Sequence, residues 1–362
     1  MKYIDEYRDG RLIGKLAEAI RREVCRNYVF MEVCGGHTNA IHRFGIPSLL
    51  PKEIKLISGP GCPVCVTGKD FIDKALDCAG QQDVIIASFG DLIRVPGSHS
   101  SLEGARREGA DIRIVISASE ALEIAALNPG KKVIFLGIGF ETTAPGTAVT
   151  LVNSEKERIT NFFVLNAHKT MPNAMDAILK DGSSIDGFIC PGHVAAITGS
   201  EIFDFIPERY NLGCVVTGFE PADILHAVLL LVKQVNNAGQ KVEIQYRRAV
   251  TKKGNTLAKK YMAQVFEPCD AWWRGFGIIP DSGLRLKEEF RIHDAERFVP
   301  QSESKSHTED KYCLCGEILR GNKVPPDCSL FGRDCIPDHP VGACMVSMEG
   351  SCNTWFRYRL DE

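Results

Sequence analysis

The segment from Lys132 to Ile138 reads K-V-I-F-L-G-I and continues directly into the turn G-F-E-T-T at 139–143. A continuous apolar, β-branched run of this kind is typical of a strand in a parallel sheet that is covered on both faces. The turn that follows places polar side chains at the carboxyl end of the strand, where open α/β sheets bind ligands. The segment therefore predicts an α/β protein with a site at the strand ends.

Seven further apolar runs of this kind lie on either side of that segment. They are residues 28–33, 54–58, 84–89, 112–116, 162–165, 187–190 and 214–217. Helix-like stretches separate or follow them at 69–79, 119–127, 170–180 and 221–236. Pro221 suits the first turn of the last stretch, and Gly239 follows it as a stop signal. Because strands alternate with helices, the sequence predicts βαβ units and parallel sheets.

The eight strands divide most simply into four and four, with Asn128-Pro129-Gly130 as the junction. We therefore predict two parallel-sheet α/β domains, at 25–128 and 129–239, that face a shared cleft. Residues 240–362 are less regular and end in a cysteine-rich segment. They are predicted to form a third domain, against which residues 1–24 would pack.

The amino-acid composition of the chain limits the classes of function that it can have. The chain has 362 residues, 14 cysteines and a formal net charge of −3. Its first ten residues, M-K-Y-I-D-E-Y-R-D-G, contain no apolar stretch typical of a secretory signal, and no apolar run approaches the ~18 residues that span a membrane. No basic block indicates nucleic acid or a membrane surface. We therefore expect a cytoplasmic protein, in which clustered cysteines more often bind metals or do redox chemistry than form structural disulfides.

A polar motif, in most cases with glycine, follows most of the predicted strands. The motifs are C-G-G-H-T at 34–38, G-P-G-C-P-V-C at 59–65, G-F-E-T-T at 139–143, N-A-H-K-T at 166–170, P-G-H-V at 191–194 and G-F-E-P at 218–221. None of them completes a P-loop or a dinucleotide fingerprint, so nothing here indicates ATP or NAD. At the carboxyl ends of parallel strands these motifs would line one edge of each sheet. If the sheets face each other, the motifs share a cleft.

Five polar side chains in these motifs are candidates for the cleft. They are Thr38, Glu141, His168, His193 and Glu220. Taken singly, each is more often a loop residue that satisfies a hydrogen bond than a catalytic group. Their common position after strands favours a role for at least some of them in the cleft.

Cys62 and Cys65 form a C-x-x-C motif ahead of a helix that begins near Lys69. A thiol near a helix N-terminus ionises more easily, because the free N–H groups and the helix dipole stabilise the thiolate. We therefore predict a redox or metal-transfer role. The alternative is half of a structural zinc site, which would need a second pair of ligands nearby.

Cys34 is followed three residues later by His37 in a turn that contains two glycines. A thiolate and an imidazole at this spacing could bind one metal together, or the imidazole could activate the thiol. The alternative is a buried cysteine beside a loop histidine.

Six cysteines lie within forty residues near the C-terminus. They are Cys313, Cys315, Cys328, Cys335, Cys344 and Cys352. The segment is rich in Gly and Pro and has no aliphatic run long enough for a core strand, so disulfides or a metal centre must organise it. Four thiolates could bind a [4Fe–4S] cluster or a zinc ion and leave one pair over. The spacing alone does not identify which four.

In their order along the chain, C-G-G-H-T, G-P-G-C-P-V-C, G-F-E-T-T, P-G-H-V, G-F-E-P and the cysteine-rich tail resemble the HypD family of hydrogenase maturation proteins. The resemblance extends from about Met31 to the C-terminus. It implies a scaffold on which the Fe(CN)₂CO unit of [NiFe]-hydrogenase is assembled. It also implies two partners: HypC, a small chaperone, and HypE, which delivers cyanide carried as a thiocyanate made with HypF.

The resemblance also implies roles for individual cysteines. The family's C-x14-C-x6-C-x16-C spacing selects four ligands for a [4Fe–4S] cluster, namely Cys313, Cys328, Cys335 and Cys352. Cys315 and Cys344 then match a redox-active pair beside the cluster, as in ferredoxin:thioredoxin reductase. Cys34, with His37 beside it, matches the thiol that binds the iron carrying cyanide and CO.

Our hypothesis is that electrons pass from the cluster through Cys315 and Cys344 to Cys62 and Cys65, and so to iron at Cys34. A second hypothesis is a cluster-dependent protein disulfide reductase, which explains the tail and the C-x-x-C motif but gives the Cys34 motif no role. A third is a zinc-stabilised interaction module without catalysis.

Overall fold

The computed structural model describes residues 4–180, 182, 184–300 and 312–358. Its strands are β1 (Tyr28–Glu32), β2 (Ile54–Ser58), β3 (Val84–Ser88), β4 (Ile112–Ile114), β5 (Lys132–Gly139), β6 (Phe162–His168), β7 (Gly187–Pro191), β8 (Gly213–Thr217), β9 (Val242–Ile244), β10 (Phe266–Trp273) and β11 (Gly277–Leu286). The first eight coincide with the eight predicted strands to within a few residues. The prediction of strands from continuous apolar runs is therefore confirmed.

Sixteen α-helices lie in the described part of the chain. They are α1 (Gly10–Glu23), α2 (Gly35–Arg43), α3 (Ile46–Leu49), α4 (Pro63–Val66), α5 (Lys69–Ala79), α6 (Leu102–Arg107), α7 (Ala118–Leu127), α8 (Ala144–Glu157), α9 (Met171–Lys180), α10 (Gly192–Thr198), α11 (Phe205–Tyr210), α12 (Pro221–Asn236), α13 (Thr256–Val265), α14 (Cys315–Leu319), α15 (Ala343–Val346) and α16 (Ser351–Tyr358). The four predicted helices correspond to α5, α7, α9 and α12. Pro221 is the first residue of α12, as its fixed φ favours.

The strands form two parallel sheets and one antiparallel hairpin. The first sheet has the order β2-β1-β7-β8-β9, the second has the order β4-β3-β5-β6, and the hairpin joins β10 and β11. All pairs within the two sheets are parallel. The predicted α/β class with parallel sheets is confirmed. Within the described residues, no helix is both long enough and apolar enough to cross a bilayer.

The predicted division of the strands into four and four along the chain is wrong. Strands β1 and β2 pair with β7, β8 and β9, whereas β3 and β4 pair with β5 and β6. The segments 25–128 and 129–239 therefore each contribute strands to both sheets. The chain leaves the first sheet after β2, completes the second, and returns at β7. Parallel neighbours need a crossover in any case, so closeness in sequence does not decide which sheet a strand joins.

The N-terminal helix also differs from expectation. Helix α1 packs on α12 of the first sheet, and among the described residues it makes no comparable contact with the C-terminal segment. Ile20 of α1 is fully buried and belongs to the same core as Ile224 and Val228 of α12. Sequence alone shows that α1 has an apolar face but not which surface covers that face.

The strand order of the first sheet indicates where a ligand would bind. Strand β1 has β2 on one side and β7 on the other, so the strand order changes direction between β1 and β7. In open α/β sheets the crevice outside the carboxyl ends at such a point is where ligands bind. Cys34 lies two residues after the end of β1, and His193 lies two residues after the end of β7.

Candidate metal and redox centres

Cys34 lies in the crevice between β1 and β7 and is almost fully buried. It precedes α2, and its own backbone is extended. The two ring nitrogens of His193 lie 3.8 and 4.0 Å from its sulfur. A thiolate and an imidazole that share one tetrahedral metal are separated by about 3.6 Å, from the usual metal–ligand lengths. Cys34 and His193 are therefore near enough to share a metal, although the imidazole must turn to direct one nitrogen at it, because the two nitrogens are almost equidistant from the sulfur.

His37 was predicted beside the Cys34 sulfur, but its imidazole points elsewhere. Its Nε2 lies 2.9 Å from the carbonyl oxygen of Gly218, and its ring stacks on Phe219 with the centroids 4.5 Å apart. Burial lowers the pKa of His37 to about 4. What His37 presents to the Cys34 sulfur is its backbone N–H, which favours the thiolate. The ring of His193 stacks on Phe219 as well, with the centroids 5.0 Å apart.

The charged neighbours of Cys34 are acidic. Burial raises the pKa of Cys34 well above its ordinary value, and the carboxyls of Glu349 and Glu32 raise it further. Glu32 accepts the backbone N–H of Cys34 at 2.9 Å and the hydroxyl of Thr38, and burial raises its pKa to about 8. Without a cation the thiol therefore stays protonated. A bound metal ion would reverse this preference, because it stabilises the thiolate directly.

The C-x-x-C motif packs directly against the Cys34 turn. Cys62 and Cys65 form a disulfide at the start of α4, and both are buried. The carbonyl of Gly61 accepts the backbone N–H of Gly35 at 3.0 Å. A Cβ atom on Gly61 would collide with the backbone of Cys34. Glycine is therefore required at position 61 for the two motifs to touch.

The cysteines of the tail gather around one small cavity. All six line it, together with apolar side chains that include Leu330, Phe331 and Met345. The Cys315 thiol interacts with those of Cys313 and Cys344. The backbone N–H of Cys352 donates to the Cys344 sulfur at 3.3 Å. The predicted clustering of the C-terminal cysteines is therefore confirmed.

The chemistry of this cavity fits a metal cluster. The donors are all thiols, which are the ligands of iron–sulfur clusters and of many zinc sites. Burial raises the pKa of Cys335, and contact with a neighbouring thiol together with burial raises that of Cys313. Such thiols ionise readily only when a metal compensates the charge. Among the described residues, no three Cys, His, Asp or Glu side chains surround a position for a single ion.

The two thiol-rich regions are contiguous. Helix α4, which carries Cys65, contacts both β5 of the second sheet and α15, which carries Cys344. Cys62, Cys65, Cys315 and Cys344 belong to one continuous buried cluster. The C-x-x-C disulfide therefore lies next to the Cys34 turn on one side and next to the tail on the other.

Three further candidates satisfy hydrogen bonds at other turns. Glu141 accepts the backbone N–H of Met171 at 2.9 Å, and burial raises its pKa to about 7. His168 hydrogen-bonds Asn166 and Thr147 in the second sheet, and burial lowers its pKa to about 3.

Glu220 is paired with Arg8 and caps α12. None of the contacts recorded for these three residues within the described chain involves Cys34.

Sequence reasoning missed two carboxyls at the centre. Glu32 is the charged last residue of the otherwise apolar strand Y-V-F-M-E, and a lone charge at that position could have been noticed. Glu349 gave no comparable signal, because 315 residues separate it from Cys34. Glu349 lies so close to Gly35 that a Cβ atom on Gly35 would collide with the backbone of Glu349.

These features define a class: a two-sheet α/β protein with buried thiol centres where its strands end. Residues 11–359 match the HypD family model, described as "Hydrogenase formation hypA family". The chain is 46% identical over 368 residues to the hydrogenase maturation factor HypD of Azotobacter vinelandii, covering 99% of this chain and 97% of that one. It is 42% identical over 374 residues to HypD of Escherichia coli, covering 100% and 99%.

The hydrogenase maturation factor HypD of Cupriavidus necator is 43% identical over 374 residues, covering 99% of this chain and 97% of that one. The chain therefore belongs to the HypD family of hydrogenase maturation factors.

Proposed function

We propose that the chain is a scaffold for assembly of the Fe(CN)₂CO unit of [NiFe]-hydrogenase, and that Cys34 holds the iron. The observation that carries this proposal is the buried Cys34–His193 pair at the switch point of the first sheet, 3.8 Å apart. Thiolate and imidazole are both good ligands for iron. The iron is the cargo of the site and leaves with the assembled unit.

The acidic groups around Cys34 would favour a cation there, because a bound cation stabilises their ionised forms together with the thiolate. Glu32 and Glu349 lie near the thiol and oppose its ionisation in the absence of metal. When Fe²⁺ binds, the sulfur–hydrogen bond is replaced by a sulfur–iron bond and one proton leaves to solvent. Burial lowers the pKa of His193 to about 4, so its imidazole is neutral and available as a ligand at physiological pH.

We propose a redox role for Cys62 and Cys65. Their disulfide opens to a thiol and a thiolate when it accepts two electrons and one proton. The contact of Gly61 with the Cys34 turn supports action on cargo at Cys34. A dithiol at this place can store the two electrons that a reductive ligand transfer to iron would use.

We also propose that Cys313, Cys328, Cys335 and Cys352 hold a [4Fe–4S] cluster. When bound, such a cluster supplies electrons one at a time. The interaction between the Cys315 and Cys344 thiols supports their assignment as the neighbouring redox pair. The contact of α15 with α4 supports a role for the tail in supplying electrons to the C-x-x-C motif.

Membership of the family supports two partners for this chain. We propose that it works with a HypC-like small chaperone and that it receives cyanide from a HypE-like protein, which is loaded by HypF. The carboxyl ends of β1 and β7 are the edge where such a transfer would take place.

Infrared spectroscopy of the anaerobically purified protein, co-expressed with these partners, tests the proposal. We expect cyanide and carbonyl stretching bands, and we expect Cys34→Ala to abolish them. Cys25→Ala is the matched control, because Cys25 is an exposed thiol at the other end of β1. If the bands are absent from the wild-type complex, or if they persist in the Cys34→Ala variant, the proposal is wrong.

The Cys62–Cys65 disulfide also favours a second candidate, a cluster-dependent protein disulfide reductase. That activity would need the tail and the C-x-x-C motif but not Cys34. Reduction of a protein disulfide by the Cys34→Ala variant at the wild-type rate, with no infrared bands from the wild type, would favour the reductase. Iron and acid-labile sulfide in the purified chain would exclude the zinc-stabilised module.

A further inference from the structure

Arg274 is a buried cation directly after strand β10, with only 4% of its surface exposed. Its Nε donates a hydrogen bond to the carbonyl of Cys65 at 2.9 Å, and its terminal nitrogen donates to the carbonyl of Thr67 at 2.9 Å. Its backbone N–H donates to the carbonyl of Val66, also at 2.9 Å. One residue therefore binds three consecutive carbonyls at the end of the C-x-x-C helix.

The next residue reaches the tail. A Cβ atom on Gly275 would collide with the backbone of Gly316. Gly316 directly follows Cys315. The side chain of Arg320, at the end of α14, donates to the carbonyl of Gly275. Residues 274 and 275 therefore form a bridge of two residues between the C-x-x-C helix and the helix that begins at Cys315.

Arg274 also brings a buried positive charge to the C-x-x-C helix, within hydrogen-bond distance of the carbonyl of Cys65. A guanidinium remains protonated under all ordinary conditions, and its planar fork can donate in two directions at once. In a buried setting such a fixed charge acts more strongly on neighbouring thiolates than it would in water.

We propose that Arg274 is a positioning residue that holds the Cys62–Cys65 pair against the C-terminal cysteines, and that its charge favours the reduced form of that pair. This inference rests on the proposed function only in giving the C-x-x-C motif a redox role. The relevant step is exchange with a dithiol reductant. The sulfur–sulfur bond of Cys62–Cys65 breaks, and the two sulfurs gain two electrons and one proton, which leaves one thiol and one thiolate. The reductant's two thiols become a disulfide, and their second proton leaves to solvent.

The test is a redox equilibrium on the full-length chain, purified anaerobically without partners. The protein is equilibrated with graded ratios of reduced and oxidised dithiothreitol and quenched by alkylation. The reduced fraction of the peptide that contains Cys62 and Cys65 is then read by mass spectrometry. We expect Arg274→Gln to shift the equilibrium about tenfold toward the disulfide, which is about 30 mV for a two-electron couple. Loss of a fixed positive charge removes stabilisation from the thiolate-bearing form.

Two variants complete the experiment. Arg285→Gln changes the net charge equally, but Arg285 is paired with Glu267 on the exposed face of the hairpin, so we expect no shift. Arg274→Lys keeps the charge and should stay within about threefold of wild type, since the electrostatic effect survives the loss of the fork. Arg274→Lys also carries the test if Arg274→Gln fails to fold.

An unshifted Arg274→Gln equilibrium, an equal shift in Arg285→Gln, or a tenfold shift in Arg274→Lys would overturn the inference. The measurement uses no cyanide or CO. Failure of the infrared experiment with a shifted Arg274→Gln equilibrium would therefore overturn the proposed function alone.

Discussion

The imidazole of His193 lies 3.8 Å from the sulfur of Cys34, although 159 positions separate the two residues along the chain. Cys34 follows strand β1 and His193 follows strand β7. These two strands are adjacent and parallel in the first sheet. Phe219 packs against the rings of both His193 and His37 and helps to fix the orientation of the first. The pair is therefore a product of the sheet topology and not of a local motif.

Replacement of His193 by Ala should weaken binding of Fe²⁺, or of Co²⁺ as a spectroscopic substitute, at least about tenfold. The reason is loss of the neutral imidazole beside the thiol, while Cys34 and its backbone hydrogen bonds remain. Anaerobic titration followed by the sulfur-to-metal charge-transfer absorbance would measure the effect. His226→Ala is the control, because His226 is exposed on α12. Equal binding by the two variants would exclude His193 as a ligand.

Glu141 should make the protein less stable as the pH rises. Burial raises its pKa from 4.5 to about 7 in the folded chain, so the folded state favours the protonated carboxyl. This contribution is fully present below pH 4.5, where the unfolded chain is also protonated. It is lost as the pH rises through about 7, by at most about 3 kcal/mol.

Glu141→Gln mimics the protonated carboxyl and keeps an oxygen to accept the N–H of Met171. The difference in unfolding free energy between variant and wild type should therefore grow in favour of the variant from pH 5 to pH 8. Urea denaturation across that range measures it. A difference that does not change with pH would mean that Glu141 is ionised in the folded protein.

Gly61→Ala should destabilise the protein by about 1–3 kcal/mol, the usual cost of forcing an extra carbon into a packed site. The added Cβ would collide with the backbone of Cys34, so either the C-x-x-C turn or the Cys34 turn must move. Metal binding at Cys34 should weaken at the same time.

Gly146→Ala is the matched control for Gly61→Ala. Gly146 lies in helix α8, and no atom stands within 4 Å of the place a Cβ would take. It should stabilise the protein by up to about 1 kcal/mol through helix propensity. Denaturant midpoints compare the two variants. Equal effects would show that the contact between the Gly61 and Cys34 turns is not tight.

The strands were predictable because a continuous apolar run is a local signal, whereas the order of the strands is not. Nothing in the run at 28–33 distinguishes β7 from β3 as a neighbour of β1. The pairing depends on how the helices cover both sheets once the chain is folded. The packing of α1 on α12 was not predictable for the same reason, because it too depends on contacts between segments that are distant in sequence.

The contacts of the His37 imidazole with Gly218 and Phe219 were hidden for a more local reason. Residues three apart share a face only within a helix. Cys34 stands just before α2 with an extended backbone, at φ −155° and ψ 121°. The spacing of Cys34 and His37 therefore does not by itself bring the imidazole to the sulfur. Cys62 also has an extended backbone just before its helix, yet its sulfur bonds that of Cys65, so the three-residue spacing alone does not decide whether two side chains meet.

Alanine variants of the tail should fall into two groups. Cys313, Cys328, Cys335 and Cys352 are the proposed cluster ligands, and loss of any one should remove most iron and acid-labile sulfide from the anaerobically purified chain. Cys315→Ala and Cys344→Ala should keep the cluster and its visible absorbance, because these thiols are assigned to the neighbouring pair.

Cys78→Ala controls for loss of a buried thiol elsewhere. Cys344 is the sharpest test, because its sulfur accepts the backbone N–H of the proposed ligand Cys352 at 3.3 Å. If Cys344→Ala lost the cluster while Cys352→Ala kept it, the two roles would be exchanged.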